Sequence, residues 1–304
     1  MTAHVLGGKP VAARIREEVA QKVEQLQQSN VKPKLAIVVA TDNGATQWYV
    51  RSIEQSAHRA GIACDVHDLG SQATVQIIAE TLNRLSADRE VHGIILQTPL
   101  PEGASLEILA SHIAVEKDID GVNPMSFGCL SAGLPAYAPA TARAVIEILD
   151  HYEVPMAGQD VAVVGRSMVI GRPVMQLLLN RHATVTACHS RTVDLAAHTR
   201  RADIVVAAAG SRDLITAEHL NPQAVVIDVG TNVDEQGNLV GDVDYAAATE
   251  VAQAVTPVPG GVGTVTTSLL LLHVVESALR LGRPCAERWV SDAPLVAEPW
   301  SGSW

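Results

Sequence analysis

With 304 residues, 47% hydrophobic and 18% charged, the chain is long enough for two domains and too apolar to be disordered. Its formal net charge of −11 argues against nucleic acid or an anionic membrane as main partner, yet permits a local basic pocket for a phosphate. Cys64, Cys129, Cys188 and Cys285 show neither metal-type spacing nor a paired framework, so reduced thiols, no metal and a cytoplasmic location are expected.

The first residues, Met1 to Lys9, lack a charged-then-apolar secretory pattern, and Leu269–Leu272 is too short an apolar run to span a bilayer. Pro10 to Leu26 has apolar residues at Val11, Ile15, Val19 and Val23 and reads as a helix. Leu35 to Val39 reads as a buried strand, Thr46 to Ala60 as a helix and Cys64 to Asp68 as a second strand. Val75 to Leu85 is helical, and Gly93 to Leu96 is a third strand that ends in Gln97. A new series starts after Pro139, with a helix over Ala142 to Tyr152 and a strand over Val161 to Val164. A helical run, Val174 to Leu179, comes next, then strands at Ala183 to Cys188, Ile204 to Ala208 and Ala224 to Val229. Thr267 to Leu281 is the last helix.

Strands separated by helix-length segments imply the α/β class: two α/β domains, the second a doubly wound parallel sheet of Rossmann type. The expected domains are 1–139 plus 262–304, with the last helix packing back on the first domain, and 140–261. Arg283 to Trp304, with Trp289, Trp300 and Trp304, reads as an irregular extension, either loose or docked on a partner subunit.

From Val161 to Pro173 the chain reads as strand, glycine turn and helix start, which presents backbone N–H groups and a helix dipole to a phosphate. The glycine spacing departs from Gly-x-Gly-x-x-Gly, so an ordinary βα turn with packing glycines fits the same residues. The second strand of this series runs into His189-Ser190-Arg191-Thr192, with no carboxylate before Asp194. Arg191 and Arg166 are planar cations suited to the 2′-phosphate of NADP; a solvated loop is the alternative for Arg191. Asp120 lies in Asp-Ile-Asp-Gly, where it either accepts paired N–H bonds from a ligand or forms an Asx turn. Pro257-Val-Pro-Gly-Gly is a proline-stiffened loop bare of side chains at its apex, suited to a flat ring or to a tight turn.

Five motifs, taken together, resemble the methylenetetrahydrofolate dehydrogenase/cyclohydrolase family, often called FolD. They are Tyr49-Val50, Gly93 to Pro101, Lys117 to Pro124, Val161 to Pro173 and Thr256 to Gly263, and the similarity runs from Leu6 to about Leu279. The resemblance implies a cytoplasmic homodimer with folate bound between two α/β domains. It implies hydride transfer from 5,10-methylenetetrahydrofolate to NADP, followed in most members by hydrolysis to the 10-formyl form. By that pattern Tyr49 stacks on the folate, Gln97 supports the catalytic centre and Asp120 holds the pterin. Leu96, Thr98, Pro257, Pro259, Gly260, Gly261 and Thr264 complete the folate-binding set. Gly165, Arg166, Ser167, Gly171, Ser190, Arg191 and Thr231 hold NADP.

One departure bears on chemistry. The family reads Tyr-Val-x-x-Lys, the lysine being its general acid/base, whereas this chain reads Tyr49-Val50-Arg51-Ser52-Ile53. Tyr49 and Ile53 share a helix face, so Ile53 is expected to point into the site, where it can neither give nor take a proton. Arg51 points elsewhere and cannot act as a base near neutral pH; Glu54 and His58 are poorly placed substitutes. Pro139-Ala-Thr-Ala142, Gly263-Thr-Val-Thr266 and Gly44-Ala-Thr46 also depart from the family's usual residues. The expectation is a working dehydrogenase with weak or lost cyclohydrolase, since hydride transfer needs little proton chemistry and hydrolysis needs an activated water. A paralogue with an altered one-carbon reaction and a silent folate/NADP-binding dimer are the other readings.

Overall fold

The structure, a computed structural model, describes residues 2–282. The extension expected over Arg283 to Trp304, including Cys285, lies outside the described residues. In chain order the elements begin with β1 (His4–Val5), α1 (Gly8–Gln28), β2 (Lys34–Val39), α2 (Gly44–Arg59), β3 (Ala63–Asp68) and α3 (Val75–Ala87). They continue with β4 (Gly93–Leu96), α4 (Leu106–Ala110), α5 (Pro124–Ser131), α6 (Ala140–His151), β5 (Asp160–Val164) and α7 (Gly171–Asn180). Next come β6 (Thr184–Cys188), α8 (Leu195–Thr199), β7 (Ile204–Ala207), β8 (Val225–Asp228) and β9 (Asn232–Val233). The last are β10 (Leu239–Val240), α9 (Tyr245–Val251), β11 (Ala254–Val255) and α10 (Gly263–Leu281).

The chain divides into two compact units. One comprises Arg14–Ala140 and, among the described residues, 267–282. Its sheet is three parallel strands in the order β3-β2-β4, with Leu35 opposite both Cys64 and Gly93. Leu35 to Val39 is buried throughout, as a central parallel strand covered on both faces requires. Val38, Ile94 and Leu96 pack with Ile78, Leu82 and Leu85 of α3. The last helix packs on this unit: Ser277 Oγ donates to Glu116 O at 2.7 Å, and His273 Nδ1 lies 2.6 Å from Ile119 O. A Cβ on Gly93 would meet Val274 at 3.0 Å and Ile119 at 2.9 Å, so glycine lets the strand lie close to the helix. By length and composition α10 could cross a membrane, but Leu269–Leu272, Val274 and Val275 are buried within the protein, as in a core helix.

The other unit comprises residues 2–13 and Thr141–Thr266. Six parallel strands lie in the order β1-β11-β8-β7-β5-β6, with Val161 opposite both Val185 and Ile204. The first strand of this series, β5, therefore has β6 on one side and β7 on the other, and the winding reverses there. Doubly wound sheets place ligands beyond the carboxyl ends of strands at such a reversal. The expected boundaries differ from this division at the N-terminus. Residues 2–13 join the six-stranded sheet because His4 and Val5 pair with Ala254 and Val255 of β11.

Candidate functional site

The turn after β5 is fixed by close backbone approach. Gly165 has φ +129°, and a Cβ on it would lie 2.0 Å from Ala208 O, just past β7. A Cβ on Gly171 would lie 2.3 Å from Gly165 O, so the start of α7 rests directly on the turn. Ser167 Oγ accepts N–H bonds from Ile170 (3.2 Å) and Gly171 (3.3 Å), and Ser167 O accepts from Arg172 N–H at 3.0 Å. Arg166, Ser167 and Arg172 are exposed around this cradle. Arg172, which the motif reading passed over, donates from Nε to Arg166 O at 3.3 Å and adds a second cation to the turn. Ser190 and Arg191 lie exposed past β6, where Arg191 N–H donates to His189 Nδ1 at 3.2 Å. Thr231 is exposed past β8. The structure thus brings the residues expected to hold a dinucleotide to the carboxyl ends of β5, β6 and β8, where Gly165 and Gly171 let the turn pack against the protein's own backbone.

Two buried aspartates shape the same strand ends, and the sequence reading missed both. Asp242 accepts N–H bonds from Ala209 (2.6 Å), Gly210 (2.9 Å) and Ser211 (2.8 Å), the loop after β7. Asn232 Nδ2 adds a fourth at 2.9 Å. Asp228 accepts from Gly230 (2.9 Å), Asp242 (3.0 Å) and Val243 (3.0 Å), and its own N–H donates to Thr256 Oγ1 at 2.7 Å. Burial pushes the Asp228 carboxyl up to about 6, against the pull of its backbone donors. The signal available in sequence is each aspartate's nearby glycine. A Cβ on Gly230 would come within 2.4 Å of Asp242, and one on Gly241 within 1.7 Å of the Asp228 carboxylate.

The Pro257 to Gly263 loop packs tightly on its own unit. Gly8 N–H donates to Gly260 O at 2.7 Å, and a Cβ on Gly8 would lie 2.1 Å from Gly261 O. Gly261 is itself crowded by Pro257 O at 2.6 Å, while Gly260 has φ +111°. At Gly261, then, it is the protein's own backbone that requires glycine. Pro259 is exposed; Pro257, Gly260 and Thr264 are half-buried.

In the other unit Leu96, Gln97 and Thr98 lie at the carboxyl edge of β4. Gln97 N–H extends the sheet by donating to Val38 O at 2.9 Å, and Thr46 Oγ1 of α2 donates to Thr98 O at 3.0 Å. Leu96 is buried, Gln97 half-buried and Thr98 exposed. Asn43 starts α2 by capping Thr46 N–H, and Thr46, Val50, Ile53 and Ala57 form its buried stripe. Tyr49 is half-buried, whereas Ile53 is fully buried, with none of its surface exposed. Ile53 therefore serves the core stripe rather than an open surface. Arg51 and His58 are exposed and Glu54 is half-buried.

Asp118 bridges Ile94 in parallel register, which carries Asp120 toward the same edge. Asp118 is fully buried and accepts from Val122 N–H (3.1 Å), Asn123 N–H (2.9 Å) and Ser126 Oγ (2.6 Å). Lys117, also buried, caps α3 by donating from Nζ to Leu85 O and Asp88 O. Asp120 keeps some exposed surface, but protein atoms crowd its carboxylate, and among the described residues it accepts one hydrogen bond, a 3.4 Å contact from Ala140 N–H. Desolvation, reinforced by the Asp118 charge, pushes its carboxyl up to about 7. Gly121, at φ +61°, makes the turn possible: a Cβ there would strike Tyr137 O at 2.5 Å.

Two family models match the chain. The catalytic domain of tetrahydrofolate dehydrogenase/cyclohydrolase matches residues 6–120, and its NAD(P)-binding domain matches residues 139–281. The chain belongs to the tetrahydrofolate dehydrogenase/cyclohydrolase family. Among its relatives, bifunctional protein FolD 1 of Paenarthrobacter aurescens is 56% identical over 283 residues, covering 93% of this chain and 96% of the relative. The bifunctional FolD enzyme of Campylobacter jejuni superposes with a TM-score of 0.89 at 37% identity, covering 91% of this chain and 99% of that one. The Trypanosoma brucei dehydrogenase-cyclohydrolase, solved with NADP cofactor and an inhibitor, gives 0.87 at 36% identity and covers 92% and 98%. Family membership accords with the α/β fold and the doubly wound NAD(P)-binding sheet described above.

Proposed function

We propose that the chain oxidises 5,10-methylenetetrahydrofolate to the 5,10-methenyl form with NADP⁺, and that hydrolysis to 10-formyltetrahydrofolate is weak or lost. The match to both family domains carries the first part, and the isoleucine at position 53, where the family pattern has its lysine, carries the second. Asp120 holds the pterin: its carboxylate has acceptor capacity to spare for two parallel N–H donors. Tyr49 stacks on the ring, with Gln97 supporting the reacting centre and Leu96 and Thr98 completing the contacts of this unit. Gly165 and Gly171 set the shape of the turn that meets the pyrophosphate by letting it pack on neighbouring backbone, and Ser167, Ser190 and Thr231 flank it. Arg166 and Arg191 supply fixed positive charge for the 2′-phosphate. NADP⁺, when bound, would supply the hydride acceptor; the protein's part is to align it with the folate and to exclude water. A lost general acid/base lowers a proton-dependent step by about 10²–10⁴-fold, and Ile53 leaves the hydrolysis without one. The working form is a homodimer in the cytoplasm.

The test is incubation of purified protein with 5,10-methylenetetrahydrofolate and NADP⁺, following NADPH and the methenyl absorbance separately. NADPH with accumulating methenyl product is expected. Formyl product released as fast as methenyl forms would overturn the second part, and no NADPH would overturn the first.

A further inference from the structure

We infer that Asp228 and Asp242 are positioning residues for the cofactor, clasping the loops after β7 and β8 into the shape that receives it. The inference rests on the proposed NADP site and deepens it. Ala209, Gly210 and Ser211 are exposed, yet their N–H groups all turn inward to the one fully buried carboxylate of Asp242. That fixes three successive peptide planes beside Gly165, whose missing Cβ leaves 2.0 Å to Ala208 O. Asn232 ties the second loop to the same carboxylate and also donates to Gly241 O at 3.0 Å. Asp228 then anchors Asp242 through the latter's own N–H, and Thr256 orients the Asp228 backbone. The clasp joins the ends of β7, β8 and β11 by hydrogen bonds that no strand ladder supplies. Asp242 is filled by four protein donors and Asp228 holds three, so both carboxylates are committed to backbone and to Asn232 rather than to a ligand. Their effect is exerted through the backbone of residues 208–211 and 230–232.

Asp242→Asn is the sharpest variant. Oδ2 serves two N–H donors and Oδ1 serves two more, so an amide NH₂ faces N–H groups in either flip. Isothermal titration of NADP⁺ into the full chain is expected to show Kd raised at least about tenfold, as loss of one or two such bonds implies. The KM for the folate should stay within about twofold, whereas general loosening of the fold would move both constants. Should Asp242→Asn fail to fold, the milder Asn232→Ala is expected to weaken NADP⁺ binding by roughly three- to tenfold. Hydrogen exchange on the unmodified, cofactor-free protein should find amides 209–211 protected despite their exposure. Free-peptide exchange there, or a folded Asp242→Asn protein with unchanged NADP⁺ affinity, would overturn the clasp. Failure of the unmodified protein to bind NADP⁺ would instead overturn the cofactor reading beneath it.

Discussion

Each unit holds a pair of aspartates near its strand ends, and the pairs are built differently. In the six-stranded unit Asp242 takes four donors, the full capacity of a carboxylate, and Asp228 takes three. In the three-stranded unit Asp118 also takes three, two N–H groups and the Ser126 hydroxyl, whereas among the described residues Asp120 accepts one 3.4 Å contact. A carboxylate ringed by donors holds backbone in place, whereas a largely desolvated one with a single long contact keeps acceptor capacity for donors from elsewhere. Burial alone therefore does not single out the aspartate proposed to hold the folate; spare acceptor capacity does.

Substitution within the Asp118/Asp120 pair gives the largest expected effect. Asp120→Ala should lower kcat/KM for the folate by about 10²–10⁴-fold, the loss of two charge-assisted bonds, with little change in Tm. Asp118→Ala should chiefly lower Tm, because it strands three buried donors. Equal losses of folate turnover in both variants, at unchanged Tm, would break the contrast. Next, Ile53→Lys should raise formyl production on the order of 10²-fold while lowering Tm, since a fully buried position must take a charge. Loss of Tm with no gain in hydrolysis would show that the lysine position is not the missing part. Gly165→Ala should weaken NADP⁺ binding by at least about tenfold, because its Cβ has no room and φ +129° is strained for alanine. Gly44→Ala, with nothing within 4 Å, is the matched control and should leave binding unchanged.

Two smaller effects sharpen the contrast further. Asp120 must be ionised to accept two N–H bonds, and its carboxyl sits at about 7. Below that value kcat/KM for the folate should fall by about tenfold per pH unit, and above it level off. Asp120→Asn should flatten that limb; an unchanged profile would assign the titration to another group. Arg191→Ala should narrow the preference for NADP⁺ over NAD⁺ by about tenfold, measured as the ratio of the two kcat/KM values.

Long periodic elements were legible before the fold was known. The apolar run Leu35 to Val39 lies within β2 and Val161 to Val164 within β5, because buried parallel strands carry continuous apolar sequence. The pattern over Val75 to Leu85 lies within α3, whose buried residues Ile78, Leu82 and Leu85 recur at helical spacing. The two-residue strands β1, β9, β10 and β11 were not legible, since two residues have no period. The placement of residues 2–13 followed from that gap. Gly165 was legible as a turn residue, but its reason, the carbonyl of Ala208, lies more than forty residues away in sequence.

By itself the sequence determined the α/β alternation, the family and the lysine position now held by Ile53, because periodicity and ordered motifs are local and survive without coordinates. Only the tertiary structure decided which aspartates are filled and which is left open. It also assigned Ile53 to the core stripe of α2 and showed that Gly261 answers to the protein's own backbone. The physical reason is that hydrogen-bond saturation and close approach are properties of groups brought together by the fold. Asp228 and Asp242, fourteen residues apart, share no spacing rule that would pair them.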